Sequence, residues 1–104
     1  MYTVVETPTF AADADDLWSD EEREAFCAWI SGNPEAGDVI PGSGGCRKIR
    51  WGRSGMGKRG GVRVIYFLRV RQEEIWLLVM YAKNAQDNIP AHILKAVREE
   101  LEND

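Results

Sequence analysis

Apolar positions recur along this chain at two different spacings, and the places where one gives way to the other mark its elements. Tyr2–Glu6 reads Tyr-Thr-Val-Val-Glu, a run of β-formers that predicts a first strand ended by Thr7-Pro8. Thr9–Leu17 mixes alanine and aspartate with weak periodicity and predicts a short helix. The next helix is marked more sharply. Ser19 followed three residues later by Glu22 forms a capping box, Asp20 and Glu21 suit the positive end of the helix dipole, and the helix runs to Gly32. Its apolar stripe is Phe26, Trp29 and Ile30, and Gly32 with Asn33-Pro34 stops it.

Beyond the helix the period changes to two. Pro34–Gly45 is read as a connector anchored to the core by Val39 and Ile40. Cys46–Trp51 then alternates, with Ile49 and Trp51 on one face and Lys48 and Arg50 on the other. A basic turn region, Gly52–Gly61, leads to the long strand Val62–Val70. There Val62, Val64, Tyr66, Leu68 and Val70 share one face, and Arg63, Ile65 and Phe67 share the other. Arg71–Glu74 makes a tight turn, and Ile75–Tyr81 returns as a nearly continuous apolar strand, expected to be central and covered on both sides. A last helix has Pro90 in its first turn, Asp87 or Asn88 near its cap, and Ile93, Leu94, Val97 and Leu101 as its stripe. The expected fold is α+β: a small antiparallel sheet with two N-terminal helices and one C-terminal helix, the helices packed on one face.

Composition bounds this picture without changing it. A chain of 104 residues, 44% hydrophobic and 29% charged, is one domain, 1–104, with a single modest core. The longest apolar run, Ile75–Ala82, is too short to span a bilayer. The N-terminus lacks a basic region followed by an apolar stretch, so no signal peptide is read and a cytoplasmic location is expected. Cys27 and Cys46 are not spaced as a metal site or redox pair, and His92 is the only histidine. Two buried thiols are expected, with no metal and no cofactor.

Charge does change the picture. The net charge is −4, but residues 1–38 carry ten acids and one base, whereas Val39–Gln72 carries nine bases and no acid. Within Pro41–Tyr66 eight glycines accompany seven lysines or arginines. Such a separation points to a polyanionic partner. Two nucleotide motifs match here and are rejected. Gly52-x-x-x-x-Gly57-Lys58 fits most of a P-loop, and Gly55-x-Gly57-x-x-Gly60 fits a dinucleotide fingerprint. Both need a following helix whose N-terminus meets the phosphates, whereas the next element is β-rich and Arg59 replaces the required Ser/Thr.

Read as strands, this region brings its cations together. One sheet face offers Lys48 and Arg50 from one strand and Arg63 from its neighbour, and the third strand ends with Tyr81 and Lys83. Lys58 and Arg59 lie in the intervening loop. Such a surface suits single-stranded RNA, with cations on phosphates and an aromatic ring stacked on a base. Cleavage would need a base for the ribose 2′-hydroxyl, donors for the phosphorane charge and an acid for the leaving 5′-oxygen. Arginine can act only as an electrostatic clamp. Crowding by like charge favours a neutral amine, which makes Lys48, Lys58 or Lys83 a candidate base or acid. Set against this, a basic patch alone is more often a non-catalytic binding face. Tyr66 reads as core, Tyr81 as either core or site, and His92 as surface. Trp18, Trp29, Trp51 and Trp76 read as packing residues, Trp51 the least clearly because it adjoins the basic loop.

These residues resemble a known family. Gly42-x-Gly44-Gly45-x-Arg47-Lys48-Ile49-Arg50, Gly57-Lys58-Arg59-Gly60-Gly61-x-Arg63-x-Ile65-Tyr66 and Tyr81-x-Lys83-Asn84 look like the HigB-type branch of the RelE/ParE toxin superfamily. The helix Ser19–Gly32 and the connector Asn33-Pro34…Gly37-Asp38-Val39-Ile40 also fit, so the likeness covers nearly the whole chain. The resemblance implies a RelE-like fold and a bacterial type II toxin that cuts mRNA in the ribosomal A site without a metal. Its partners would be the ribosome, mRNA and a cognate antitoxin, a HigA-like helix-turn-helix protein, with no membrane. Mapped onto this chain, the family's basic strand pair falls on Lys48 and Arg50, its phosphate-binding arginine on Arg63, and the basic residue closing the next strand on Lys83 or Asn84. RelE-like enzymes carry arginine near the place of Asn84, and their C-terminal tyrosine has no counterpart here, where Tyr81 stands instead. The expected site is therefore Lys58, Arg63, Tyr81 and Lys83 for catalysis, with Lys48, Arg50, Arg59 and Asn84 on RNA. The alternative is a ParE-like toxin that binds gyrase and cleaves nothing.

Overall fold

In a computed structural model, which describes residues 1–52, 61–83 and 89–102, the chain opens with a strand, β1 (Thr3–Glu6), and a helix, α1 (Pro8–Leu17). Thr7 caps α1, its hydroxyl accepting from the Phe10 N–H at 3.1 Å, and Pro8 occupies the first turn, where its missing N–H costs nothing. The capping box forms as expected: Ser19 and Glu22 satisfy each other's backbone N–H groups at the start of α2 (Asp20–Gly32). Four strands follow, β2 (Asp38–Val39), β3 (Arg47–Trp51), β4 (Val62–Arg69) and β5 (Glu74–Ala82), and the last helix is α3 (Ala91–Glu102). The expected cap residues Asp87 and Asn88 lie outside the described residues.

The strands form one mixed sheet in the order β1-β5-β4-β3-β2. The pairings β2–β3, β3–β4 and β4–β5 are antiparallel, and β1 lies parallel to β5. The middle strand is β4; β5 lies beside it, between β4 and β1, and is apolar and covered on both faces as anticipated. That two-sidedness corrects one expectation. The helices do not share a face. Phe10, Ala14, Phe26 and Ile30 from α1 and α2 pack on Val62, Val64, Tyr66, Ile75, Leu77 and Met80, whereas Leu94 of α3 packs with Cys46, Ile65, Phe67 and Leu78 on the opposite face. A sheet apolar on both sides exposes one of them unless both are covered.

Smaller differences have equally local causes. The connector contains the two-residue β2, and its Val39 is 52% exposed because it sits on the outermost strand, so only Ile40 anchors to the core. Val70 leaves the strand for a tight 3-10 turn, is exposed, and Glu73 closes that turn in the left-handed region at φ 53°. The tryptophans pack as expected: Phe26 lies 5.2 Å from Trp18 and 5.1 Å from Trp51, with Trp29 beside Trp51 at the rim. No helix among the described residues is long and apolar enough to cross a membrane.

Candidate functional site

Register places the cationic residues. Arg50 on β3 pairs with Arg63 on β4, and Arg63 in turn pairs with Tyr81 on β5. Residues paired this way share a face, with Cβ atoms roughly 4.5–5.5 Å apart. Arg50, Arg63 and Tyr81 therefore form one row across three strands, on the α3 face. Lys48, two residues along β3, stands on the same face and pairs with Ile65. Helix α3 covers the part of this face around Ile65, Phe67 and Leu78 and leaves the row at its margin: Lys48 and Arg50 are exposed, and Arg63 and Tyr81 half-buried.

Strict alternation would not give this row. Counting by twos from Ile75 and Leu77 puts Tyr81 on the α1/α2 face. A β-bulge intervenes. Tyr66 pairs with Leu77 but Ile65 pairs with Val79, so Leu78 has no partner on β4 and every later residue of β5 is turned over. Tyr81 joins the cations because of that one extra residue.

Lys83 is brought to Arg63 by the end of the hairpin. Its N–H donates to the Gly61 carbonyl at 3.1 Å. A Cβ placed on Gly61 would lie 3.8 Å from Nη1 of Arg63 and 3.9 Å from Cδ of Lys83, so both side chains border the space above that glycine. Among the described residues Lys48, Arg50, Arg63 and Lys83 have no ion pair or side-chain hydrogen bond. Two arginines directly opposed and uncompensated repel each other, which is the arrangement an anion would relieve. Lys58, Arg59 and Asn84 lie outside the described residues.

A groove of about 250 Å³ adjoins the row, bounded by Asp38, Val39, Ile40 and Pro41 on one side and by Lys48, Arg50 and Arg63 below. Its outer wall is held from within the core. Fully buried Tyr66 donates its hydroxyl to the Pro34 carbonyl at 2.8 Å and accepts from the Gly37 N–H at 2.9 Å. Arg47 adds bonds to the Glu35 and Gly37 carbonyls. A Cβ on Gly37 would approach the Tyr66 hydroxyl to 2.9 Å and the Lys48 carbonyl to 3.1 Å, so glycine is required there. Burial pushes the Tyr66 phenol up, which keeps it a donor.

Two parts of this arrangement escape a reading of the sequence. Asp38, cross-strand from Lys48, is the carboxylate at the groove, and a two-residue strand is too short for periodicity to register. The glycines before β3 are the second part. Gly42, Gly44 and Gly45 adopt φ of 77°, 76° and 99°, and a Cβ on Gly44 would meet Cγ of Lys95 at 3.2 Å. They shape a turn that passes beneath α3, with buried Ser43 donating to the Ile40 carbonyl at its centre. Cys46 is buried and Cys27 half-buried, and burial pushes the Cys27 thiol up to about 11, so both are packing thiols. His92 is exposed on α3.

No protein-family profile matches the chain. Among solved structures, the E. coli toxin RelE, as a mutant with two arginines replaced by alanine and in the free state, is similar over 93% of this chain and 96% of its own. The TM-score is 0.64 and the identity 18%. Similarity at that level shows the fold, and the fold is RelE-like: three helices with a five-stranded mixed sheet.

Proposed function

We propose that this protein is the toxin of a type II toxin–antitoxin pair, of the HigB-like branch, and cuts mRNA held in the ribosomal A site. The observation that carries this reading is the cross-strand row Arg50–Arg63–Tyr81, whose two arginines have no ion pair among the described residues, with Lys83 beside Arg63, on a RelE-like sheet. Lys48, Arg50 and Arg59 hold phosphates, Asn84 contacts the RNA, and Tyr81 stacks on a base next to the scissile bond. One lysine of the pair Lys58 and Lys83 takes the proton of the ribose 2′-hydroxyl. The 2′-oxygen attacks phosphorus, Arg63 balances the growing phosphorane charge, and the P–O5′ bond breaks as the protonated lysine of the pair returns a proton to the 5′-oxygen. The product ends in a 2′,3′-cyclic phosphate, and the charge balance calls for neither metal nor cofactor. The work is done in the cytoplasm, and a helix-turn-helix antitoxin restrains it.

Induction of the protein followed by mapping of mRNA 5′ ends, with a parallel assay on purified ribosomes, tests this. Codon-phased, ribosome-dependent cuts are expected, and Arg63→Ala should lower cutting by on the order of 10²–10³-fold with an unchanged circular dichroism spectrum. Intact mRNA together with double-strand DNA breaks would instead identify a gyrase poison and sink the proposal.

A further inference from the structure

The bulge that turns Tyr81 toward the cations has a support on its other side. On the β4 flank Leu78 is the unpaired residue, and pairing resumes as Ile65–Val79, Val64–Met80 and Arg63–Tyr81. On the β1 flank the parallel ladder stops at Glu6–Leu77. From there the backbone of β5 is met by α1 and its cap. The Thr7 N–H donates to the Leu77 carbonyl at 3.1 Å, and the Thr7 hydroxyl donates to the Leu78 carbonyl at 3.0 Å. Oδ2 of Asp13 accepts from the Met80 N–H at 3.1 Å. The bulged residue is thus bracketed by the side chains of the α1 cap, Thr7, and of Asp13 in the helix, directly before the stretch that carries Tyr81.

Helix α1 cannot easily release this grip. Thr7 uses the same hydroxyl oxygen to cap α1, accepting from Phe10 N–H, so the helix start is pinned to the bulge. Phe10 and Ala14 are fully buried and fix the rotation of the helix, which aims Asp13 at β5. Met80 is almost completely buried, so its N–H needs an acceptor in place of water. The competing arrangement is a regular strand. It would pair Arg63 with Met80 and Val62 with Tyr81, sending the ring to the α1/α2 face and a methionine to the cations.

We infer that Asp13 is a positioning residue: its carboxylate, bound to the Met80 N–H, holds the β5 bulge in the register that presents Tyr81 beside Arg63. The geometric half of this inference stands on the hydrogen bonds alone; the catalytic half rests on the mRNA-cutting reading. Two measurements separate them. In hydrogen exchange by NMR, the Met80 amide of the wild type is protected to the level of the β4–β5 ladder amides. It loses at least about tenfold of that protection in Asp13→Ala and keeps it in Asp13→Asn, whose amide oxygen can still accept. In single-turnover cutting on saturating ribosomes, Asp13→Ala falls by on the order of 10²-fold with KM for ribosomes nearly unchanged, and Asp13→Asn restores the rate. The pair Asp13→Ala with Tyr81→Ala cuts no more slowly than Tyr81→Ala alone, because the aspartate acts through that ring. A Met80 amide that exchanges as an exposed one in the wild type overturns the inference, even if the alanine variant fails to fold. So does full activity in Asp13→Ala, or a loss that adds to that of Tyr81→Ala. Wild-type protein that protects Met80 but cuts nothing on ribosomes leaves the register role standing and removes the mRNA-cutting reading instead.

Discussion

The two faces of the sheet are built from the same strands and are finished differently. Toward α1 and α2, β4 and β5 present Val62, Val64, Tyr66, Ile75, Leu77 and Met80, apolar from one end to the other. Toward α3 they are apolar only as far as Ile65, Phe67 and Leu78. Beyond these come Arg63 and, on the neighbouring strand, Arg50 and Lys48. The first face gains the free energy of burial along its whole length. The second gives up part of it, and places like charges opposite one another where an apolar row could have continued. The contrast separates residues that hold the fold from residues the fold holds up, and substitutions on each face should fall accordingly.

The largest effect on stability belongs to the closed face. Phe26 is fully buried between Trp18 and Trp51, 5.2 and 5.1 Å away by ring centroid. Phe26→Ala should cost about 3–5 kcal/mol in urea unfolding, the usual range for removing a core phenylalanine. A loss below about 1 kcal/mol would mean that this face is not the core. Tyr66→Phe comes next and joins the two faces. Its ring lies in the α1/α2 core while its hydroxyl holds Pro34 and Gly37, the root of the wall that carries Asp38. Without the hydroxyl the Gly37 N–H is left buried with no acceptor, a loss of roughly 1–3 kcal/mol. The groove wall should loosen as well, read as faster exchange of the Gly37 amide. An unchanged exchange rate would show that Arg47 holds the wall unaided.

How far the sequence foretells each face follows from the kind of signal each one uses. The closed face, the capping box at Ser19 and Glu22, and the alternation of Cys46–Trp51 and Val62–Phe67 are period signals, repeated over several residues and hence legible. The cationic members Lys48, Arg50 and Arg63 come out of the same alternation. What the period cannot supply is a single insertion. Leu78 looks like any other apolar residue of β5, yet it decides which way Tyr81 points. Nor can it show that β1 lies parallel to β5, that α3 crosses to the far face, or that Asp38 stands at the groove, since these depend on contacts between distant segments. The glycines before β3 stay unread for the same reason: their positive φ angles serve a turn beneath α3, a contact between distant segments.

The smallest effect on stability is expected in the cationic row itself. Arg50 is exposed, makes no ion pair among the described residues, and faces Arg63 directly across the strand pair. Truncating it removes a repulsion and almost no burial. Arg50→Ala should therefore leave unfolding free energy within about 0.5 kcal/mol of the wild type. RNA binding should weaken and its dependence on salt become shallower, since one phosphate contact, and the counterion it releases, is lost. Stability stays put while binding and its salt slope fall only if the row exists for a ligand. A substitution that destabilised the fold and left the salt slope unchanged would return Arg50 to the scaffold, and with it the contrast between the faces would disappear.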